Sequence, residues 1–315
     1  MSIDERGAVC VLGTGLIGGS LLRAAVAAGY PAFGYNRSEN GAEAASRAGF
    51  DVSVDLSAVL RRAASNDALV VIAVPMPAVE PILADIAALA PQCWLTDVVS
   101  VKGPVAEAVG KHGLTANYVG GHPMAGTSES GWAATDPELF RGAVWAVGVD
   151  EGTRVEPWSR VVRLALDCGS VVVPVLAAEH DQAVARISHL PHVLAEALAA
   201  AGAGGGELAL GLAAGSFRDG TRVAGTAPDL VRAICEPNAG ALERVLDETI
   251  DALVAARDSL RADGGLGKLV EQGYRGRVAY DERVAWEITG VTPGAPGWLD
   301  ELRQAGRRGG VLRTV

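Results

Sequence analysis

Short apolar runs rich in β-branched residues alternate with alanine-rich stretches of helical spacing through residues 1–175. The pattern predicts strands at Val9–Leu12, Ala32–Tyr35, Ala68–Val74, Trp94–Val98, Tyr118–Gly120, Ala143–Val149 and Ser170–Pro174. Several are apolar at nearly every position, as strands are when both faces of a sheet are covered. Helices are predicted between them, among them Ile17–Ala28, Ala42–Ala48 and Val79–Ala90. Strand–helix alternation of this kind builds an α/β, Rossmann-type doubly wound parallel sheet.

Past Pro174 the period changes. From Ala177 to Ala262 only helices are predicted: His180–Ala201, Glu207–Ala214, Pro228–Cys235 and Ala239–Arg261. A long helix that is apolar nearly all round has to be buried against something. Bulky residues are scarce here, so a second copy of the chain is the expected cover, and a homodimer through the helical half is predicted. Pro191 falls inside the first long helix, where its ring and missing N–H should kink it and leave the carbonyl of Ile187 without its donor. Gly202–Gly206 reads as a loop between helices. Beyond Tyr280, the run Thr292-Pro293-Gly294-Ala295-Pro296-Gly297 precedes a short predicted helix, Trp298–Ala305. Three parts result: an α/β domain over 1–175, an all-α domain over 176–280, and an appended tail over 281–315. The tail is shorter than the roughly 50 residues of a small domain.

The 315 residues are 49% hydrophobic and 20% charged, an ordinary globular composition that needs no disulfide or metal to fold. A formal charge of −10 and an isoelectric point near 5.0 argue against nucleic acid or an anionic membrane as partner. Both reward stripes of Lys and Arg. An anionic substrate must instead be held by a few placed cations. Cys10, Cys93, Cys168 and Cys235 are far apart, show no metal-ligand spacing and read as small core residues. The start MSIDERGAVC has acids where a signal peptide needs a basic end. No uninterrupted apolar run reaches the ~18 residues of a membrane span. A cytoplasmic protein without a metal is expected.

The strand Val9–Leu12 runs directly into Gly13-Thr14-Gly15-Leu16-Ile17-Gly18-Gly19-Ser20, and a helix follows. This is a dinucleotide-binding loop in its proper βαβ setting. Gly13 permits the tight turn, Gly15 lets the pyrophosphate approach the backbone, and Gly18 lets helix pack on strand. The amides of Leu16 and Ile17 open the helix, where its dipole favours phosphate. The second strand ends Asn36-Arg37-Ser38, where an NAD site usually has an acid for the ribose. A neutral Asn36 beside Arg37 suits a 2′-phosphate, so the cofactor is read as NADP or NAD. Val74 and Pro75, at another strand end, complete the cofactor set.

Two further segments gather polar groups at strand ends, where such sheets bind ligands. They are Thr96-Asp97-Val98-Val99-Ser100-Val101-Lys102-Gly103 and Gly120-Gly121-His122-Pro123-Met124-Ala125-Gly126-Thr127. His122, beside glycines that give a substrate access, is a general acid/base candidate. The helical half adds Glu179-His180-Asp181 and Ser188-His189-Leu190-Pro191-His192, the latter a spacing poor for metal without further ligands. It also adds Gly215–Gly225, read as a loop between helices carrying Arg218 and Arg222, the placed cations.

In order, the Gly13 loop, DVVSVKG, GGHPMAGT, SHLPH and FRDGTRVAGTAPDL make the chain resemble the prephenate/arogenate dehydrogenase family over residues 8–262. The resemblance implies a Rossmann domain followed by a helical dimerisation domain. It implies an oxidoreductase acting on CH–CH groups: NAD(P)-dependent oxidative decarboxylation of prephenate to 4-hydroxyphenylpyruvate in tyrosine biosynthesis, or alternatively of arogenate to tyrosine. His122 matches the family's catalytic histidine, and Ser100 the serine that bonds that histidine or the substrate hydroxyl. His192 matches a substrate-pocket histidine, with His189 and Thr127 taken into the same set. Arg222 matches the arginine that binds a substrate carboxylate. Many members read G-T-E-x-S-G where this chain has Gly126-Thr127-Ser128-Glu129-Ser130-Gly131, so its acid, Glu129, is displaced by one residue. Related β-hydroxyacid dehydrogenases and imine reductases put a catalytic lysine on the long helix after the sheet, and none occurs between His180 and Ala201. A dinucleotide sensor without activity should lack Ser100, His122 and Arg222, and all three are present.

Overall fold

The computed structural model describes residues 6–127 and 129–314, so Ser128 of the GTSESG segment lies outside the described residues. The chain forms two compact units, one running to His180 and resuming at Trp286, the other Asp181–Ala285.

In the first unit, β1 (Val9–Leu12), β2 (Ala32–Tyr35), β3 (Val52–Ser53), β4 (Leu69–Ile72), β5 (Leu95–Asp97) and β6 (Tyr118–Val119) form a parallel sheet in the order β3-β2-β1-β4-β5-β6. The order reverses between β1 and β4, which makes that point the ligand-binding switch of a doubly wound sheet. Helices α1 (Leu16–Ala27), α2 (Glu39–Arg47), α3 (Leu56–Ser65), α4 (Val79–Leu89), α5 (Gly103–Lys111) and α6 (Val155–Asp167) belong to the same unit. The strand period of two divides β1 between two cores. Val9 and Val11 pack with Leu21 and Leu22 on one side, while Cys10 and Leu12 pack with Val59, Leu60 and Leu83 on the other. That is why β1 and β4 are apolar at every position.

The last two predicted strands leave the main sheet. β7 (Gly121–Pro123), β8 (Val144–Gly148) and β9 (Val171–Val175) form a second sheet, with β7 antiparallel to β8 and β8 parallel to β9. The strand read as Tyr118–Gly120 ends at Val119, and Gly120, whose carbonyl accepts the Gly148 N–H at 2.8 Å, separates it from β7. Gly121 sits so close to β5 that a Cβ there would lie 2.7 Å from the Asp97 carbonyl oxygen.

Helix α7 (Ala177–Val184) leads out of this unit, and a π-helical turn, Ala185–His189, precedes α8 (Leu190–Gly204). The disturbance expected at Pro191 thus takes the form of a π turn: the Leu190 N–H donates to the Ala185 carbonyl, and Pro191 lies in the first turn of α8, where no N–H is needed. The second unit continues with α9 (Gly206–Gly211), α10 (Gly215–Thr221), a 3₁₀ turn Arg222–Gly225, α11 (Pro228–Cys235), α12 (Ala239–Asp263) and α13 (Gly267–Asp281).

Two loop readings are corrected here. Gly202 is helical because α10 packs against it: a Cβ there would lie 2.4 Å from the Phe217 ring. Gly220, inside the supposed arginine loop, is likewise a close-packing glycine against Leu198. The buried apolar cluster of this unit is small, Ala185, Ala241 and Val245 with Leu190 beside them. Ile187, Leu208, Leu212 and Val270 are each at least 62% exposed.

The segment read as a tail is part of the first unit. Helix α14 (Trp298–Arg307) buries Trp298, Leu302 and Ala305 in the core that holds Val9 and Trp158. The rings of Trp158 and Trp298 meet edge to face at 5.2 Å. Strands β10 (Trp286–Glu287) and β11 (Gly310–Val311) pair in parallel, and Leu312 exchanges both backbone hydrogen bonds with Val172 on β9, at 3.0 and 2.8 Å. All four cysteines are unpaired and buried. Burial pushes the Cys93 thiol up to about 11 and that of Cys168 to about 12. Among the described residues no helix is long and apolar enough to cross a membrane, and no group of three His, Cys, Asp or Glu residues could hold a metal ion.

Candidate active site

The glycine loop divides its three glycines by what surrounds them. Gly13 has φ +104°, in the region that favours glycine, and a Cβ there would meet the Ala73 carbonyl oxygen at 2.5 Å. At Gly18 a Cβ would lie 1.9 Å from the Gly13 carbonyl oxygen, so helix and strand could not close. Gly15 is different. It precedes the first turn of α1 with φ −76°, and a Cβ there would meet nothing within 4 Å. Neither strain nor protein packing requires glycine at that point, whereas an approaching pyrophosphate does, with free amides and the positive end of the α1 dipole to receive it. The residues present fit a dinucleotide. Leu16 and Ile17 open α1, and Val74, beside Gly13, and Pro75 follow β4 at the switch point.

At the end of β2, Asn36 uses its side chain within the protein. Its Nδ2 donates to Thr14 Oγ1 at 2.8 Å, and its Oδ1 accepts the Ser38 N–H at 2.9 Å. Ser38 in turn caps α2 by accepting the Gly41 N–H. Asn36 therefore ties the glycine loop to the strand end. Arg37 between them is exposed, and among the described residues nothing holds its guanidinium.

His122 lies within β7, opposite Ala146, and is half-buried. Its Nδ1 is 2.9 Å from Nε2 of His180, which stands on the first turn of α7 and is only 3% exposed. Ser100 is half-buried in the turn between β5 and α5. Beneath them runs a buried polar cluster. Asp97, fully buried, accepts the Val99 N–H at 2.8 Å and the Tyr118 hydroxyl at 2.6 Å, and it pairs with the Lys102 ammonium. Lys102 Nζ also donates to the Gly121 carbonyl at 2.6 Å. A buried ion pair is a weak source of net stability, but breaking one is costly. Here it bolts the end of β5 to the residue before His122.

Thr127 and Glu129 are exposed, and the Thr127 hydroxyl accepts the Glu129 N–H at 3.2 Å. In the second unit, His189 is 1% exposed, with Nδ1 3.2 Å from Asn238 Nδ2; the same amide group donates to the Asp181 carbonyl at 2.7 Å. His189, taken into the substrate set from the sequence, is thus packed and hydrogen-bonded within the helical unit. His192 is half-buried, and its Nδ1 is buried without a hydrogen-bond partner. Arg222 opens the 3₁₀ turn, exposed and unpaired among the described residues.

Four residues given no role from the sequence carry the geometry around His122: His180, Asp97, Lys102 and Tyr118. The signals were present. Glu179-His180-Asp181 is a polar triplet directly after an apolar strand, and Asp97 and Lys102 are charges embedded in apolar runs.

This sheet order, with a loop cleared for pyrophosphate and a polar, histidine-bearing strand end in the same unit, defines a dinucleotide-dependent oxidoreductase. Residues 23–174 match the family described as prephenate dehydrogenase, nucleotide-binding domain, and residues 176–272 match prephenate dehydrogenase, dimerization domain. The chain belongs to the prephenate dehydrogenase family. The cyclohexadienyl dehydrogenase of Zymomonas mobilis is 31% identical over 266 residues, covering 82% of this chain and 89% of that protein. The prephenate dehydrogenase of Lactococcus lactis is 31% identical over 226 residues, 69% of this chain, and the match spans 60% of that relative's length. A crystal structure from Corynebacterium glutamicum, named as a candidate prephenate dehydrogenase, superposes with a TM-score of 0.92 at 48% identity, covering 97% of this chain and 98% of that one.

Proposed function

We propose that the protein oxidatively decarboxylates prephenate to 4-hydroxyphenylpyruvate, with His122 as the base that takes the 4-hydroxyl proton. The observation that carries this reading is the constrained imidazole of His122, held through Nδ1 against His180 in the nucleotide-binding unit. The bound nicotinamide supplies a hydride acceptor for the hydrogen on ring C4. As that hydrogen leaves, the hydroxyl becomes carbonyl-like and its proton passes to His122. The C1 carboxylate departs as carbon dioxide, its bonding electrons complete the aromatic ring, and the ring carbonyl recovers a proton as a phenol. Aromatisation drives the step, so the chain's task is to orient the substrate and accept a proton. Arg222 is proposed to bind the side-chain carboxylate, because its guanidinium has no other partner among the described residues. The orphan Nδ1 of His192 suits a polar group of the substrate. Ser100 is proposed to bond the substrate hydroxyl.

The exposed leucines of α9 and the small core of the helical unit support a homodimer formed through that unit, in keeping with the description of the family domain it matches. Four unpaired cysteines suit a reducing cytoplasm.

The test is a two-by-two assay of absorbance at 340 nm, with prephenate or arogenate and NAD or NADP. Turnover of prephenate, lost in His122→Asn and retained with a raised substrate KM in Arg222→Ala, is the expected result. Arg37→Ala should raise KM for NADP alone, through loss of a partner for the 2′-phosphate. Turnover of arogenate but not prephenate would replace the substrate assignment, and a normal kcat in His122→Asn would remove the base.

A further inference from the structure

We infer that His180 is the positioning residue of this site: it selects the tautomer of His122 and so makes Nε2 of His122 the proton acceptor. The inference rests on the reading of His122 as the base and adds what makes it one.

A neutral imidazole has one N–H and one bare nitrogen. With His122 Nδ1 and His180 Nε2 2.9 Å apart, one proton lies between the rings. If His122 owns that proton, its Nε2 has a free lone pair and can act as a base. If His180 owns it, the proton of His122 sits on Nε2 and the residue cannot accept another. The choice therefore belongs to His180. Protonated on Nδ1, it offers Nε2 as an acceptor and fixes His122 in the reactive form.

His180 is well placed to impose this. The first turn of α7 is fixed from two sides: Asp150 Oδ1 accepts the Ala177 N–H at 3.0 Å, and Glu179 pairs with Arg307 of α14 at 2.7 Å. On the other side, the Asp97–Lys102 pair holds Gly121, the neighbour of His122. Both rings thus sit on backbone that is independently braced.

The choice of partner matters as much as its position. A carboxylate at Nδ1 would also orient His122, but its charge would hold the proton that His122 accepts. A neutral imidazole orients without that attraction. The charged groups around the couple are Asp97 and Lys102 behind β7, and Asp150, Glu179, Asp181 and Arg307 around α7.

The experiment is steady-state kinetics on the full-length chain with prephenate and its preferred dinucleotide, for His180→Leu, His180→Gln and His180→Glu, with thermal melts to establish folding. His180→Leu should lower kcat about 100-fold, at the low end of what a positioned base contributes, with KM values within about threefold of the parent. His180→Gln, whose amide oxygen reaches the position of Nε2, should recover most of that loss. His180→Glu should move the acidic limb of the kcat/KM profile upward by about one pH unit, since its carboxylate favours protonated His122. A folded His180→Leu with the parent's kcat, a Gln variant no better than Leu, or a Glu variant with an unmoved acidic limb would each overturn the assignment. His122→Asn separates this inference from its premise. If that variant is inactive while the His180 series is flat, only the role of His180 fails; if it is active, the base itself is misassigned.

Discussion

Gly15 and Gly18, three residues apart in one loop, should respond to the same substitution in opposite ways. In Gly15→Ala the added methyl meets nothing within 4 Å, and φ of −76° suits alanine. The folded protein should be unharmed and even slightly stabilised, by up to about 1 kcal/mol, because alanine restricts the unfolded chain. The methyl does, however, stand where the pyrophosphate must lie. If it displaces two amide hydrogen bonds to charged oxygens, each worth about 1.5–3 kcal/mol, the dinucleotide loses about 3–6 kcal/mol. That is roughly 10²- to 10⁴-fold in Kd. Gly18→Ala instead drives a Cβ to 1.9 Å from the Gly13 carbonyl oxygen, a backbone atom that cannot swing aside. Overpacking of this kind costs about 3 kcal/mol, which lowers Tm by roughly 6–12 °C in a domain of this size. Titration of NADPH or NADH fluorescence, run beside thermal melts, reads both quantities. Parental affinity in Gly15→Ala, or equal melting losses in the two variants, would refute the division of labour assigned to the loop.

Two further perturbations address the surroundings of the site. Lys102→Met leaves Asp97 buried without its cation and should destabilise the protein by about 3–5 kcal/mol; the double variant Asp97→Asn, Lys102→Met should recover part of that loss in a denaturant melt, and no recovery would argue against the pairing as its cause. Leu302→Ala, at a site 1% exposed in α14, should cost about 2–5 kcal/mol by opening a cavity in the core of the first unit. An unchanged melting midpoint would contradict the docking of that segment.

The parallel sheet was legible because strands covered on both faces have no polar positions to disguise them: β1 and β2 were bounded from sequence to the residue. What escaped has identifiable causes. β3 is two residues long and has no period to read. Gly202 and Gly220 carry the residue type of loops yet sit inside helices, because what they supply is room for Phe217 and Leu198. Such a use shows only once the neighbours are known. Helix α13 contains Gly273 and Gly276, has no buried residue and so shows no apolar stripe. Among the candidate site residues, His122 stood out through its glycines, and Arg222 through the need for a cation in an acidic chain. His180 drew notice only as part of a polar triplet and received no role, because its meaning depends on a partner 58 positions earlier, and pairing across such a separation is invisible to local pattern.

The return of the chain to the first unit after Ala285 has a consequence for how the protein is made. The helical unit is an insertion within the nucleotide-binding one, since Leu312 pairs with Val172 and Trp298 fills the core beside Trp158. During synthesis, the sheet and its glycine loop emerge first, yet that unit cannot close its core until the ribosome has released residues more than a hundred positions beyond β9. Contacts of such long sequence separation form late. A nascent chain stalled in the helical segment would therefore show a sheet domain with an open flank at β9, and chaperones that bind exposed strand edges would find it there. Completion of α14 and β11 is the event that seals the flank, and through Arg307 it also braces the turn that carries His180.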